Sequence, residues 1–80
     1  MNDFERDRLR RVILKLIDKG HNHWTDIEKR ACASCLDIAT SNTVKRQFYC
    51  YLLPSGYVER LGRGRYALTD KGKRLLALLS

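Results

Sequence analysis

Residues 57–69 read Tyr57-Val58-Glu59-Arg60-Leu61-Gly62-Arg63-Gly64-Arg65-Tyr66-Ala67-Leu68-Thr69. Two short runs rich in aromatic and β-branched residues flank Gly62-Arg63-Gly64, which predicts a two-stranded hairpin. A hairpin alone is marginal in water and has to lie against other elements. The flanking sequence carries helical patterns on both sides, so the expected class is mainly α with one small β-hairpin.

Upstream, Val44, Phe48, Tyr51 and Leu52 recur at the spacing of one buried helix face. This predicts a helix from Ser41 to Leu53, capped by Thr40, Ser41 or Asn42 and ended by Pro54, Ser55 and Gly56. Before it, Thr25-Asp26-Ile27-Glu28 has the form of a capping box, opening a helix over about 26–33. The segment 34–40 is expected to turn, with Leu36 and Ile38 pointing inward. At the start, Leu9, Val12, Ile13, Leu16 and Ile17 form the stripe of an amphipathic helix over 3–19, which Gly20 stops. Its other face, Arg6, Arg8, Arg10, Arg11, Lys15 and Lys19 among Glu5, Asp7 and Asp18, is expected to be solvated. Downstream, Thr69 caps a last helix over about 70–79.

The chain has 80 residues, the size of one domain spanning 1–80. Lys and Arg exceed Asp and Glu by seven, an excess that implies an anionic partner such as nucleic acid or an anionic membrane. More than half of that excess, +4, lies between Ser41 and Arg65. It is not spread along one basic amphipathic face, as membrane binding would prefer. The longest apolar run, Leu75 to Leu79, is far below the roughly 20 residues that span a bilayer. The charged N-terminus lacks the apolar middle of a signal peptide, so a cytoplasmic location without membrane attachment is expected.

The order α-α-α-β-β-α and two specific stretches resemble the winged helix-turn-helix domains of small prokaryotic transcription regulators. Leu52-Leu53-Pro54-Ser55-Gly56-Tyr57-Val58-Glu59-Arg60 is similar to their recognition-helix end entering the wing. Tyr66-Ala67-Leu68-Thr69-Asp70-Lys71-Gly72-Lys73 is similar to their wing strand and its LT-x-x-G exit. The resemblance runs from Trp24 to Leu76, with a helix-turn-helix over 25–53 and a wing over 57–69. Pro54 departs from the pattern, because the family continues one more helical turn there.

The resemblance implies a sequence-specific double-stranded DNA-binding protein, a transcription regulator acting as a homodimer. In such a motif the second helix enters the major groove. Its outward set here is Ser41, Asn42, Thr43, Lys45, Arg46, Gln47 and Tyr49, types that pair with base edges or hold phosphates. Arg63 and Arg65 at the wing, two residues apart and expected on one side of an extended strand, suit phosphates or a narrow minor groove. Leu75 to Leu79 spread apolar surface over more than one helix face, and Leu14 lies off the main stripe of the first helix. Leu14, Leu75, Leu78 and Leu79 are therefore expected at a dimer contact.

Cys32-Ala33-Ser34-Cys35 is a C-x-x-C preceded by His21-Asn22-His23, and four such ligands can hold zinc. A helix between the two pairs separates them by on the order of a dozen ångströms, so no metal or cofactor is expected. Cys32 and Cys35 are read as small thiols filling core and turn. No phosphate-binding loop or catalytic constellation is present, so neither an enzyme nor a small-molecule substrate is expected. Two other readings stay open: a winged-helix protein-interaction module, and a metal- or thiol-sensing regulator using Cys32 and Cys35.

Overall fold

The computed structural model describes residues 2–79. Met1 and Ser80, counted in the single domain over 1–80, lie outside the described residues. Helix α1 (Asp3–Asp18) begins where the Asn2 side chain accepts from the Glu5 amide at 2.8 Å. It closes where the Gly20 and His21 amides return to the Ile17 and Leu16 carbonyls. Leu9, Ile13 and Ile17 are buried along the expected stripe, while Val12 and Leu16 sit half-buried at its margin.

Leu14 corrects the sequence reading, because it has no exposed surface and belongs to the core. Helix α4 (Asp70–Leu79) packs back on α1 and covers a second side of it. With α2 and β2 also packed on α1, a residue off the main stripe is buried by tertiary packing, and Leu14 drops out of any contact between copies.

Helix α2 (Trp24–Ser34) starts earlier than the capping-box reading, with His23 as its cap residue and no side-chain cap bond. The box does not form. The Trp24 amide donates instead to the Gly64 carbonyl of the hairpin turn at 2.8 Å, so a distant segment satisfies a first-turn donor. Next to it, His23 pairs with Arg65 as an isolated antiparallel bridge, and the Tyr66 amide donates to the Asn22 carbonyl. The Asn22–His23 segment is therefore joined to the hairpin by this isolated bridge, outside the two-stranded sheet. In the following turn Cys35 and Ala39 face inward, whereas Leu36 is 79% exposed and Ile38 only half-buried. The Ile38 and Ala39 amides both return to the Cys35 carbonyl, and this tight turn carries Leu36 outward, contrary to expectation.

Helix α3 (Ser41–Gln47) is capped by Thr40, whose side chain accepts from the Thr43 amide. It continues into a π-helical segment, Phe48–Leu52, in which the Leu53 amide reaches the Phe48 carbonyl at 2.9 Å. A proline inside a regular helix collides with the carbonyl four residues earlier, and a wider turn makes room for Pro54. The chain coils past Pro54 until the Gly56 and Tyr57 amides return to the Leu53 and Leu52 carbonyls, with Gly56 at φ +84°. The helical element thus ends at Leu52, one residue short of the expected Leu53, and residues 53–56 form the turn expected of Pro54, Ser55 and Gly56.

Strands β1 (Val58–Gly62) and β2 (Arg65–Leu68) pair antiparallel, Val58 with Leu68 and Arg60 with Tyr66. Gly62 faces Arg65, so Leu61 is the extra residue of a β-bulge and the turn proper is Arg63-Gly64. The hairpin leads into α4 through Thr69. Its hydroxyl donates to the Gly56 carbonyl at 2.6 Å and accepts from the Gly72 amide at 3.1 Å. Gly72 is buried, and a Cβ there would overlap the Tyr57 carbonyl oxygen. Thr69 and Gly72 thus give the LT-x-x-G signature its physical content, a cap and a close backbone approach.

Phe48 stands at the centre of the core. Its ring meets Trp24 at 4.5 Å, Tyr66 at 4.8 Å and Tyr49 at 5.1 Å between centroids. These aromatics join α2, the π-helical end of α3 and the hairpin. The order α-α-α-β-β-α is the one expected, a helix-turn-helix followed by a two-stranded wing.

Candidate nucleic-acid interface

Successive helical residues are rotated by about 100°, so Asn42, Lys45, Arg46 and Tyr49 share one sector of α3. Val44 and Phe48 occupy the opposite, buried sector. Asn42, Lys45 and Arg46 are exposed, and Ser41 is exposed at the first position of the helix. Thr43 is half-buried, with its hydroxyl 3.2 Å from that of Thr40.

Gln47 leaves the outward set. It is half-buried, and its side-chain oxygen accepts from Arg10 Nε at 2.8 Å. The rotation per residue turns it from Arg46 toward α1, where Arg10 occupies it. The Arg10 guanidinium also lies 3.5 Å over the Tyr51 ring, so one arginine of α1 grips α3 at two points. Arg8 does the same for the turn before α3, donating to Asp37 Oδ2 at 2.9 Å and to the Ser34 carbonyl at 3.3 Å. The face of α1 read as solvated is in part a brace for the helix-turn-helix. No periodicity in the sequence marks this, since Arg8 and Arg10 find their partners more than two dozen residues away.

Tyr49 is 41% exposed, with its ring against Trp24 at 5.0 Å. Burial and the neighbouring Tyr66 hydroxyl push its phenol up to about 12. It stays a neutral donor at ordinary pH and ties the exposed sector of α3 to the base of the wing. At the wing, Arg63 lies in the turn and Arg65 in β2, both exposed. The expected same-side alternation along one strand does not apply to them, because the turn interrupts it.

Cations divide into two groups. Arg6 pairs with Asp3, Arg8 with Asp37 and Arg30 with Asp26, while Lys71 donates to the Ser55 carbonyl and lies over the Tyr57 ring. Among the described residues, the side chains of Lys45, Arg46, Arg63 and Arg65 have no hydrogen-bond, ion-pair or ring partner, nor do those of Arg11, Lys15, Lys19, Lys29, Lys73 and Arg74.

Asp26 is held below its ordinary 3.8 by Arg30 and by His21, whose Nδ1 is 2.8 Å away. Asp37 is held below the same value chiefly by Arg8. A carboxylate with a lowered folded pKa stabilises fully above its unfolded value, and the contribution disappears as pH falls through the folded one. Melting temperature is therefore expected to fall as pH drops through and below the ordinary carboxylate range. Asp37→Asn should flatten part of that dependence when melts are followed by circular dichroism across the range.

The thiols are free, with Cys35 buried, Cys32 half-buried and Cys50 exposed on the π-helical segment. Burial pushes both the Cys32 and Cys35 thiols up, opposite to the direction that makes a reactive thiolate. His21 is engaged with Asp26, and His23 sits at the strand bridge. Among the described residues no three His, Cys, Asp or Glu side chains gather as a metal site, so His21, His23, Cys32 and Cys35 do not converge.

Of the leucines expected between copies, Leu75 and Leu79 are half-buried and Leu78 is 83% exposed. No helix among the described residues is long and apolar enough to cross a membrane. Comparisons with models of known protein families, with curated proteins and with solved structures find no match to this chain.

Proposed function

We propose that this protein binds double-stranded DNA with sequence specificity and acts as a transcription regulator. Asn42, Lys45 and Arg46 read base edges in the major groove, Ser41 and Tyr49 hold phosphates, and Arg63 and Arg65 contact the backbone or the minor groove beside it. The observation that carries this reading is the outer sector of α3, where Asn42, Lys45 and Arg46 are exposed and Tyr49 ties the helix to the hairpin that carries the exposed Arg63 and Arg65. Arg11, Lys15, Lys19, Lys29, Lys73 and Arg74 are also exposed and unpartnered, so it is the shared helix face and the hairpin turn, not the missing partner, that mark these four cations. An exposed cation without an internal partner contributes nothing to folding that an apolar stem would not. It is placed to neutralise phosphate and release counterions.

The polar, cationic sector of α3 favours DNA over a protein partner, which would be met by apolar anchors. The raised thiols of Cys32 and Cys35 give a thiol-sensing role no support.

Selection from a random duplex pool at about 0.15 M salt should return a recurrent sequence. With four phosphate-neutralising side chains, log affinity should fall against log salt with a slope of at least about −3.6. Arg46→Ala should cost about 1–3 kcal/mol at one base position and relax the preference there. Arg63→Ala should weaken all sequences alike and make the slope about one unit shallower. Fluorescence anisotropy on the selected and a scrambled duplex measures both. Equal affinity for the two duplexes would remove the claim of specificity, and binding insensitive to all four substitutions to alanine would remove the interface.

A further inference from the structure

Leu61, the extra residue of the β-bulge in β1, is 54% exposed. It falls between the pairs Arg60–Tyr66 and Gly62–Arg65 and has no cross-strand partner of its own, so Leu61 and Gly62 together oppose Arg65. A bulge re-aims the side chain it carries, and here that side chain is large and apolar, next to the turn of the wing. Arg60 and Arg63 flank it in the chain and Arg65 lies across the ladder, all three exposed. We propose that Leu61 is a wedge that enters the minor groove, parts two stacked base pairs and kinks the duplex. This role rests on the duplex-binding reading of α3 and the wing, and adds a deformation of the DNA to it.

A side chain can part stacked bases only if the backbone behind it does not yield. The tip of this hairpin is held from behind. The Trp24 amide donates to the Gly64 carbonyl at 2.8 Å and the Tyr66 amide to the Asn22 carbonyl at 2.8 Å, which fastens the turn to the start of α2. Arg60 Nε donates to the Gly62 carbonyl at 3.2 Å and spans the bulge itself. The backbone on both sides of Leu61 is therefore set before DNA arrives.

Leucine has no attraction of its own for a groove rimmed by phosphates. Arg63 and Arg65 supply it, because the minor groove brings two phosphate chains close together and concentrates negative potential between them. An apolar wedge between base steps costs stacking, and the bent duplex offsets that cost by wrapping more of the protein surface. Leu36, although more exposed, has no Lys or Arg within three residues of it in the chain and lacks this setting.

The test uses the selected and the scrambled duplex at saturating protein, with a fluorescent donor and acceptor at the ends, and separately with 2-aminopurine at successive positions. Bound by the wild type, the ends should draw together by a bend of about 20–90°. 2-Aminopurine, quenched while stacked, should brighten at one step of the selected duplex. Leu61→Ala should lose both signals and keep the salt slope, since every phosphate contact remains. Leu61→Met, which retains a long apolar side chain, should keep both signals, and so should Leu36→Ala. The site is exposed, so the melting temperature of Leu61→Ala should stay within a few degrees of wild type.

A wild-type complex that leaves the duplex straight and stacked overturns the wedge and leaves duplex binding standing. So does a Leu61→Ala complex that bends the duplex as the wild type does. Absence of any complex by anisotropy removes the wedge and the duplex-binding reading together.

Discussion

Phe48→Ala is expected to lower stability by about 4 kcal/mol, the middle of the range for emptying a buried phenylalanine site. Phe48 has no exposed surface and its ring touches Trp24, Tyr49 and Tyr66. Removing it takes the central ring from a cluster that no single element can close. The neighbours are rings on α2 and the hairpin and are fixed by backbone bonds, Trp24 to Gly64 and Tyr66 to Asn22, so they cannot collapse into the space. A chain of 80 residues has a total stability of about 4–12 kcal/mol.

At about 4–8 °C per kcal/mol, the melting temperature should drop by more than about 16 °C. Phe48→Leu, which leaves most of the volume filled, should cost about 1–2 kcal/mol. Thermal melts followed by far-ultraviolet circular dichroism measure both. Equal costs for the two variants would show that the site tolerates collapse. Because the same ring supports Tyr49 and the wing base, Phe48→Leu should also weaken duplex binding while the protein remains folded.

Gly72→Ala is expected to cost about 3 kcal/mol, near the upper end of the overpacking range. The sign is the informative part. Glycine within a helix is ordinarily about 1 kcal/mol worse than alanine, so the same substitution in an unconstrained helix stabilises. Here the added methyl group would occupy the position of the Tyr57 carbonyl oxygen, with Leu68 pressing from another side. Backbone has to move, and it is the backbone that Thr69 ties to Gly56 and to the start of α4.

Gly62 supplies the contrast, since a Cβ there meets nothing within 4 Å and its φ is ordinary. Gly62→Ala should leave the melting temperature within a few degrees of wild type. If Gly72→Ala were as mild, the close approach of the wing to α4 would not be what holds them together.

Much of the fold was legible because its signals are local. The stripe of α1, the cap at Thr40, the glycine-bearing turn of the hairpin and the Thr69 cap each depend on residues within one or two turns of chain. The capping box at Thr25 misled for the same reason. It is a valid local signal, but the Trp24 amide found its acceptor in the hairpin turn and the helix began earlier. The turn at 34–40 misled because Leu36 is more apolar than Cys35 and Ala39, yet the backbone bonds to Cys35 point the smaller residues inward.

The candidate interface shows the same division. Composition alone concentrates positive charge between Ser41 and Arg65, and the helical period alone places Lys45 and Arg46 away from Val44 and Phe48. Gln47 looks equal to Arg46 in the sequence. Only packing separates them, because Arg10 reaches across from α1 to take the glutamine and leaves the arginine free.

By itself the sequence determined which elements exist, their order and the side of each helix that is apolar. Those properties follow from period, capping and turn chemistry, whose partners lie a few residues apart. Tertiary structure alone decided that Leu14 is core, that α3 widens into a π-helical turn, and that Gly72 admits a carbonyl. It also decided which cations of α1 are spent as braces. In each case the interacting groups lie in segments distant along the chain, and no pattern within one segment can report what another brings against it.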